Sequence, residues 1–336
     1  MLTAIRTRDD EKNYDFGPYP TSWIQIAWSH DVGRGDVKAI RALGRELVLF
    51  RGEDGRAAVL DAYCPHLGAH LGVGGRVAGN CVRCPFHGWE FDRSGACTAI
   101  PHAKRIPSRA QVGAWTVREV NGQIFVWHDA DGRAPWFEIP EVPEFGSSAW
   151  TRPRYYETTI RTRWRELVEN GVDRAHFFAL HGFPEPPELD FRTDGPRFTM
   201  QSRVPWRRFG VERTVTLDIE AHGAGFAVTR GAGEAPFIVL GCPMPIDAHT
   251  IIHRQAVIVS KTLPPLVRAA VARFVGWTAM REFRRDVPIW QNKVVVPRPV
   301  LCDVDGPIVR FRTWARQFEP AAAPAAHDPA PTDAPA

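Results

Sequence analysis

Long apolar runs are missing from this 336-residue chain. No stretch of about twenty uncharged apolar residues occurs, which excludes a membrane-spanning helix. Met1 to Lys12 is charged and has no apolar centre, so no secretory signal is expected. Cysteine is scarce: there are six, with Cys64, Cys81 and Cys84 grouped and Cys97, Cys242 and Cys302 scattered. That distribution does not suggest a disulfide framework and points to a reducing, cytoplasmic setting. An excess of one charge is missing too. The 42 Lys and Arg against 38 Asp and Glu leave +4, spread along the chain, so nucleic acid is not an expected partner. No G-x-G-x-x-G follows a strand-like run, so neither nicotinamide nor flavin binding is expected in this chain. An apolar content of 44% with 24% charged residues is ordinary for a globular protein, and the length allows two domains with real cores.

Among what is present, two short motifs dominate: Cys64-Pro65-His66 and Cys84-Pro85-Phe86-His87. Each offers one sulfur and one imidazole from a single loop. Gly68, Gly72, Gly74 and Gly75 follow the first motif and Gly88-Trp89 the second. Two thiolates for one iron and two imidazoles for the other make a Rieske [2Fe–2S] cluster, poised at roughly −150 to +300 mV. Zinc is the rival, because Cys81-Val82-Arg83-Cys84 is a C-x-x-C pair that Cys64 could extend. The prolines after both cysteines and Phe86 before His87 fit a rigid, shielded cluster loop better.

About a hundred residues on, Asp173, His176 and His181 form D-x-x-H-x-x-x-x-H. On a helix Asp173 and His176 would share a face, with His181 just past the turn at Gly182. Two imidazoles and a carboxylate are the set that leaves positions on ferrous iron open for O2. Taken alone the string is weak, since core or surface histidines produce it as readily. After a Rieske pattern it reads as a second iron site.

Between Trp23 and Asp129 the signals are β, with runs at Val37–Ala42, Glu46–Phe50, Ala57–Tyr63 and Gln123–His128 and a hairpin turn at Glu53-Asp54-Gly55. Pro135 to Pro143 reads as a linker. Beyond Ser147, strands are expected at Arg154–Thr162, Val211–Ile219, Phe226–Arg230, Ile251–Val259 and Val309–Trp314. Helices are expected at Arg165–Phe178 and Leu266–Asp286, with Pro288 ending or kinking the latter. The expected class is α+β: an N-terminal segment (1–20), an antiparallel β Rieske domain (21–134), a linker (135–146), a catalytic domain of antiparallel sheet covered by helices (147–319), and a disordered Ala/Pro tail (320–336).

From about Pro18 to Phe318 the chain resembles the oxygenase components of Rieske non-haem iron oxygenases, whose N-x-x-D-x-x-H-x-x-x-x-H pattern is matched by Asn170, Asp173, His176 and His181. The resemblance implies that Cys64, His66, Cys84 and His87 hold the cluster and that His176 and His181 hold a mononuclear Fe(II). Asp173 is then the bridge to a cluster histidine of a neighbouring subunit, in a homotrimer. Family members place the third ligand late in the chain near the end of a long helix. Asp286 is the choice here, with Asp303 and Asp305, set before Gly306-Pro307, as alternatives.

The segments Tyr63–Leu71, Cys81–Trp89, Glu119–Gln123, His128–Gly132 and Ile289–Lys293 are similar to the cholesterol 7-desaturases. Asp286–Lys293 and Cys302–Pro307 are similar to the 3-ketosteroid 9α-hydroxylases. Both resemblances imply O2-dependent oxidation of a sterol or steroid, with cholesterol 7-desaturation expected first and steroid hydroxylation as the alternative. Electrons would come from an NAD(P)H-dependent reductase, with or without a ferredoxin between. The animal desaturases carry a membrane anchor, and this chain shows none. Phe177, Phe178, Phe183, Trp206, Phe209 and Phe237 are candidates for an apolar pocket, although core packing explains most such residues. A bare electron carrier, and an oxygenase for an aromatic acid or alkaloid, are the competing readings.

Overall fold

The computed structural model describes residues 19–320 apart from 184, 209–210, 234–235, 295 and 297–298, and apart from the side chains of 204–208, 211–213, 215 and 306. Its first half is built from short strands: β1 Ser22–Trp28, β2 Val37–Ala42, β3 Arg45–Arg51, β4 Ala57–Asp61, β5 Arg76–Ala78, β6 Cys81–Arg83, β7 Glu90–Phe91, β8 Cys97–Ala99, β9 Val117–Val120 and β10 Gln123–His128. They form three antiparallel sheets, ordered β1-β10-β9, β2-β3-β4 and β5-β6-β7-β8. The turn at residues 53–55 joins β3 to β4, with Gly55 at φ 83°, a conformation glycine adopts freely.

The second half holds a seven-stranded antiparallel sheet in the order β11-β17-β16-β15-β14-β13-β12. Its strands are β11 Arg154–Ile160, β12 Glu188–Asp194, β13 Arg197–Arg208, β14 Val211–His222, β15 Phe226–Gly231, β16 Phe237–Pro245 and β17 Ile251–Val259. Helices α1 Trp164–Glu169 and α2 Arg174–Ala179 lie between β11 and β12, and α3 Pro265–Asn292 follows β17 and packs on β17 and β11. Helix α4, Gly306–Ala315, and a short turn at Arg316–Phe318 are the last elements among the described residues.

The period-2 alternation of a strand, reset in β1 by a bulge between Gln25 and Ala27, explains how the halves are joined. Every residue of β1 is buried. Ile24 and Ile26, with Ile124 and Val126 of β10, face Leu47, Leu49 and Val59 of the first half. Trp23 and Trp28, with Phe125 and Trp127, face Phe226, Ile238, Leu240 and Ile258 of the large sheet. One two-stranded wall therefore serves two cores. Each of these large side chains contributes about 1.5–3 kcal/mol through burial. The Pro-rich stretch 135–146 is packed into the same seam rather than hanging free. Ile139 and Val142 are buried in it, Asn121 Nδ2 donates to Pro140 O (2.9 Å), and Val142 N donates to Asn121 Oδ1 (2.8 Å).

Three local expectations change. Val309–Trp314 is helix, not strand. Val-Arg-Phe-Arg-Thr-Trp alternates like a strand, but Ile308, Phe311, Trp314, Ala315 and Phe318 are buried at helical spacing, and Pro307 occupies the first turn, where its missing N–H is no loss. Arg165–Phe178 is not one helix. Residues 170–172 form a 3-10 turn, and Asp173 is extended (φ −78°, ψ 106°) as the N-cap of α2. Helix α3 runs through Pro288 to Asn292, since a proline this near the end sacrifices little of the backbone ladder. The expected tail from Ala321 and the N-terminal segment through Pro18 lie outside the described residues.

Candidate metal centres

The two cysteine–histidine motifs sit on loops that repeat one backbone design. In the first, Cys64 N donates to Ala69 O (2.9 Å) and Gly68 N to Cys64 O (2.9 Å). In the second, Cys84 N donates to Trp89 O (2.8 Å) and Gly88 N to Cys84 O (3.1 Å). Gly68 and Gly88 hold φ of 74° and 73°, a left-handed conformation that would strain other residues at both loop ends. Cys64 and Cys84 are buried, whereas His66 and His87 are exposed with ring centroids 4.7 Å apart. His66 is stacked on Trp89 at 4.6 Å and 8°. Burial pushes the Cys64 thiol up to about 11, and the neighbouring Cys84 adds to the rise. Two sulfurs inside and two imidazoles at the tip suit a two-iron cluster.

The zinc alternative finds no support in the geometry. Cys81, on β6, has Sγ 3.5 Å from Thr98 Oγ1. Among the described residues, a single metal-capable group has three donor atoms all within 4.8 Å of one another, and it contains no cysteine.

That group is His176, His181 and Asp286. Asp286 Oδ1 lies 3.2 Å from His181 Nε2 and 4.0 Å from His176 Nε2. The same oxygen is buried and without a hydrogen-bond partner. A carboxylate oxygen orphaned between two imidazoles is costly unless something cationic satisfies it, so this donor set fits a divalent metal ion. His176 Nδ1 donates to Asp173 O (2.7 Å), and a carbonyl can only accept. The proton is thereby fixed on Nδ1, and the Nε2 lone pair faces Asp286. His181 Nδ1 is fixed in the same sense by Glu282 Oε2 at 2.9 Å.

Burial holds His176 below the ordinary imidazole range, outweighing the nearby Asp173 and Asp286. For His181 burial acts the same way, but the adjacent Asp286 carboxylate and then the Glu282 carboxylate prevail and raise it. Asp173 sits at the start of α2, its carboxylate accepting from Ala175 N (3.0 Å) and His176 N (3.3 Å). Asn170 Nδ2 lies 3.2 Å from His176 Nε2.

Asp303 and Asp305 stand outside this group. Asp305 instead accepts from Cys302 N at 2.9 Å, one residue before α4. Of the pocket candidates, Phe177 and Phe183 pack about the site, with centroids 5.6 and 6.4 Å from His181. Phe178 is exposed, Phe237 is half-buried on β16, and the side chains of Trp206 and Phe209 lie outside the described part. Sequence reasoning missed Glu282. Its signal was its position four residues before Asp286, on the same helix face.

Residues 22–110 match the family described as the Rieske [2Fe-2S] domain, and residues 126–318 match the 3-ketosteroid 9alpha-hydroxylase C-terminal domain. The chain is 34% identical to a probable 3-ketosteroid-9-alpha-monooxygenase, oxygenase component, of Rhodococcus rhodochrous, over 94% of this chain and 85% of that protein. It is 36% identical to the cholesterol 7-desaturase nvd of Hemicentrotus pulcherrimus, over 95% of this chain and 73% of that one. In fold it is similar to Pseudomonas putida CBB5 NdmA with caffeine (TM-score 0.73, 20% identity, 88% and 89% of the two chains). Dicamba monooxygenase with non-heme iron and dicamba is similar as well (TM-score 0.65, 19% identity, 88% and 96%). Two matched domains in this order, with relatives spanning nearly the whole chain, place it in a family that couples a [2Fe–2S] cluster to a mononuclear iron: the chain belongs to the Rieske non-haem iron oxygenases.

Proposed function

We propose that this chain is an oxygenase component that uses O2, and electrons from a separate NAD(P)H-dependent reductase, to oxidise a ring C–H bond of a steroid. In this reading His176, His181 and Asp286 hold the mononuclear iron, and Cys64, His66, Cys84 and His87 hold the cluster. The observation that carries it is the orphaned Asp286 oxygen beside two imidazoles, in a chain over a third identical to steroid-oxidising relatives. When bound, the metal groups supply one-electron transfer and O2 activation. The chain's own residues do the rest. Asp173 O and Glu282 set the two imidazole tautomers. Phe177 and Phe183 give the site an apolar wall that limits water. The Asp173 carboxylate, partly exposed, is the contact to the cluster of a neighbouring subunit in a homotrimer. A cytoplasmic setting fits the cluster thiols, and no helix among the described residues is long and apolar enough to cross a membrane.

Desaturation of cholesterol at C7 is the first reading, resting on the cluster loops and on Ile289–Lys293. Hydroxylation of a 3-ketosteroid is the second, favoured by the match of residues 126–318 to the hydroxylase C-terminal domain. The two outcomes share a first hydrogen abstraction, so substrate pose decides between them. The test is turnover of a sterol and 3-ketosteroid panel with a surrogate reductase and O2, followed by mass spectrometry. A conjugated diene from cholesterol supports desaturation, and a hydroxylated 3-ketosteroid with cholesterol untouched supports the second reading. No oxidised steroid from either would overturn both.

A further inference from the structure

We infer that Glu282 is a positioning residue of the mononuclear iron site: it holds His181 from behind, and without it His181 is a poorer ligand. The inference rests on the assignment of His176, His181 and Asp286 as the metal-holding group.

The two imidazoles are held differently. His176 Nδ1 meets a neutral backbone carbonyl, whereas His181 Nδ1 meets the Glu282 carboxylate at 2.9 Å. A hydrogen bond to a charged acceptor is the stronger of the two, and it makes the far nitrogen more basic toward a metal. Both carboxylates that touch His181 come from α3. Glu282 and Asp286 are four residues apart, so they share a face one turn apart. One grips Nδ1 and the other lies 3.2 Å from Nε2, which fixes the ring's tilt between two points on one rigid element.

Glu282 is itself held. Arg285 Nη1 donates to Glu282 Oε2 (3.1 Å) and to His181 O (3.2 Å), and Arg281 Nη1 lies 3.6 Å from Glu282 Oε1. The guanidinium of Arg285 thus ties the carboxylate to the backbone of the residue it orients. Two arginines also offset the negative charge that Glu282 would otherwise add beside Asp286. His181 leaves little room for reorientation by water, since its side chain is only 4% exposed. It sits just beyond the end of α2, where His181 N reaches His176 O at a long 3.4 Å and Arg285 holds the His181 carbonyl. Such a ligand depends most on an outside support.

The test starts from the cluster-loaded protein with its mononuclear metal removed by a chelator. Co2+ and Fe2+ are then titrated, with the cluster's visible spectrum as an internal control. Glu282→Ala should weaken Co2+ affinity about 10- to 100-fold and change the Co2+ ligand-field bands. Glu282→Gln, whose amide oxygen still accepts from Nδ1–H, should recover part of the loss. The unfolding midpoint of the metal-free protein should stay close to wild type in Glu282→Gln. Wild-type affinity and bands in both variants would overturn the inference, as would a lowered midpoint with unchanged affinity. Asp286→Ala is the parallel control. If it too binds Co2+ as wild type, the ligand assignment has failed; if it alone loses the metal, only the role of Glu282 has.

Discussion

Buried on β17 with its ring stacked on Phe283 at 4.7 Å, His253 has no hydrogen-bond partner for Nδ1, and burial lowers its pKa to about 4. The folded chain therefore keeps it neutral where the unfolded chain, near 6.5, binds a proton. Its contribution is fully present above about pH 6.5, is lost as pH falls toward 4, and changes little below that. The loss amounts to on the order of 3 kcal/mol. Urea unfolding at pH 7 and pH 4.5 should show His253→Leu losing less stability on acidification than wild type. Equal losses would place the acid sensitivity elsewhere. Cysteine identity makes a second residue-scale prediction. Cys84→Ala should abolish the cluster's visible and EPR spectra, whereas Cys81→Ala should keep them, because Cys81 lies on β6 outside the paired loops. Loss of the spectrum in both would restore a thiolate-rich site that includes Cys81.

At the scale of the element, α2 is only six residues long and owes its start to Asp173. The carboxylate that is proposed to contact the neighbouring cluster is also the cap that accepts from Ala175 N and His176 N. Asp173→Ala would remove both functions at once, with about 1 kcal/mol lost through the cap alone. Asp173→Asn separates them, since its side-chain oxygen still caps the helix. We expect Asp173→Asn to keep about three irons per chain and near-wild-type stability while coupled turnover falls at least tenfold. Turnover preserved in Asp173→Asn and lost in Asp173→Ala would reduce Asp173 to a structural cap. Helix α3 shows the same economy, carrying Glu282, Arg285 and Asp286 in little more than one turn and placing Phe283 on His253.

For the whole molecule, the shared wall of β1 and β10 joins the two halves into one folding unit. Cutting the chain near residue 134 would expose Trp23, Trp28, Phe125 and Trp127 on one side and Phe226, Ile238 and Leu240 on the other. Far-UV circular dichroism and the cluster's visible signal should therefore be lost together in a single thermal transition. A first half that survives melting of the second would show the seam to be weak. Size measurement in solution should give the proposed trimer; the contact through Asp173 itself requires only that more than one subunit be present. A fully active monomer would exclude electron transfer between subunits.

The sequence by itself determined the chemistry and its order along the chain. The cluster motifs between Cys64 and His87 and the paired histidines of Asp173–His181 are local, and ligand chemistry constrains which residue types can appear there. The strands at Val37–Ala42, Gln123–His128 and Ile251–Val259 were legible too, because their β-rich composition is not contradicted by a helical period. Tertiary structure decided what depends on contacts distant in sequence. Val309–Trp314 alternates as a strand does, and only the burial of Ile308, Phe311 and Trp314 against the sheet makes it a helix. Asp286 could not be separated from Asp303 and Asp305 by spacing, because more than a hundred residues lie between it and the histidines. The fold brings it to 3.2 Å from His181 and leaves the other two aside. Glu282 became visible for the same reason: a carboxylate on a helix looks solvated until the imidazole behind which it sits is in place.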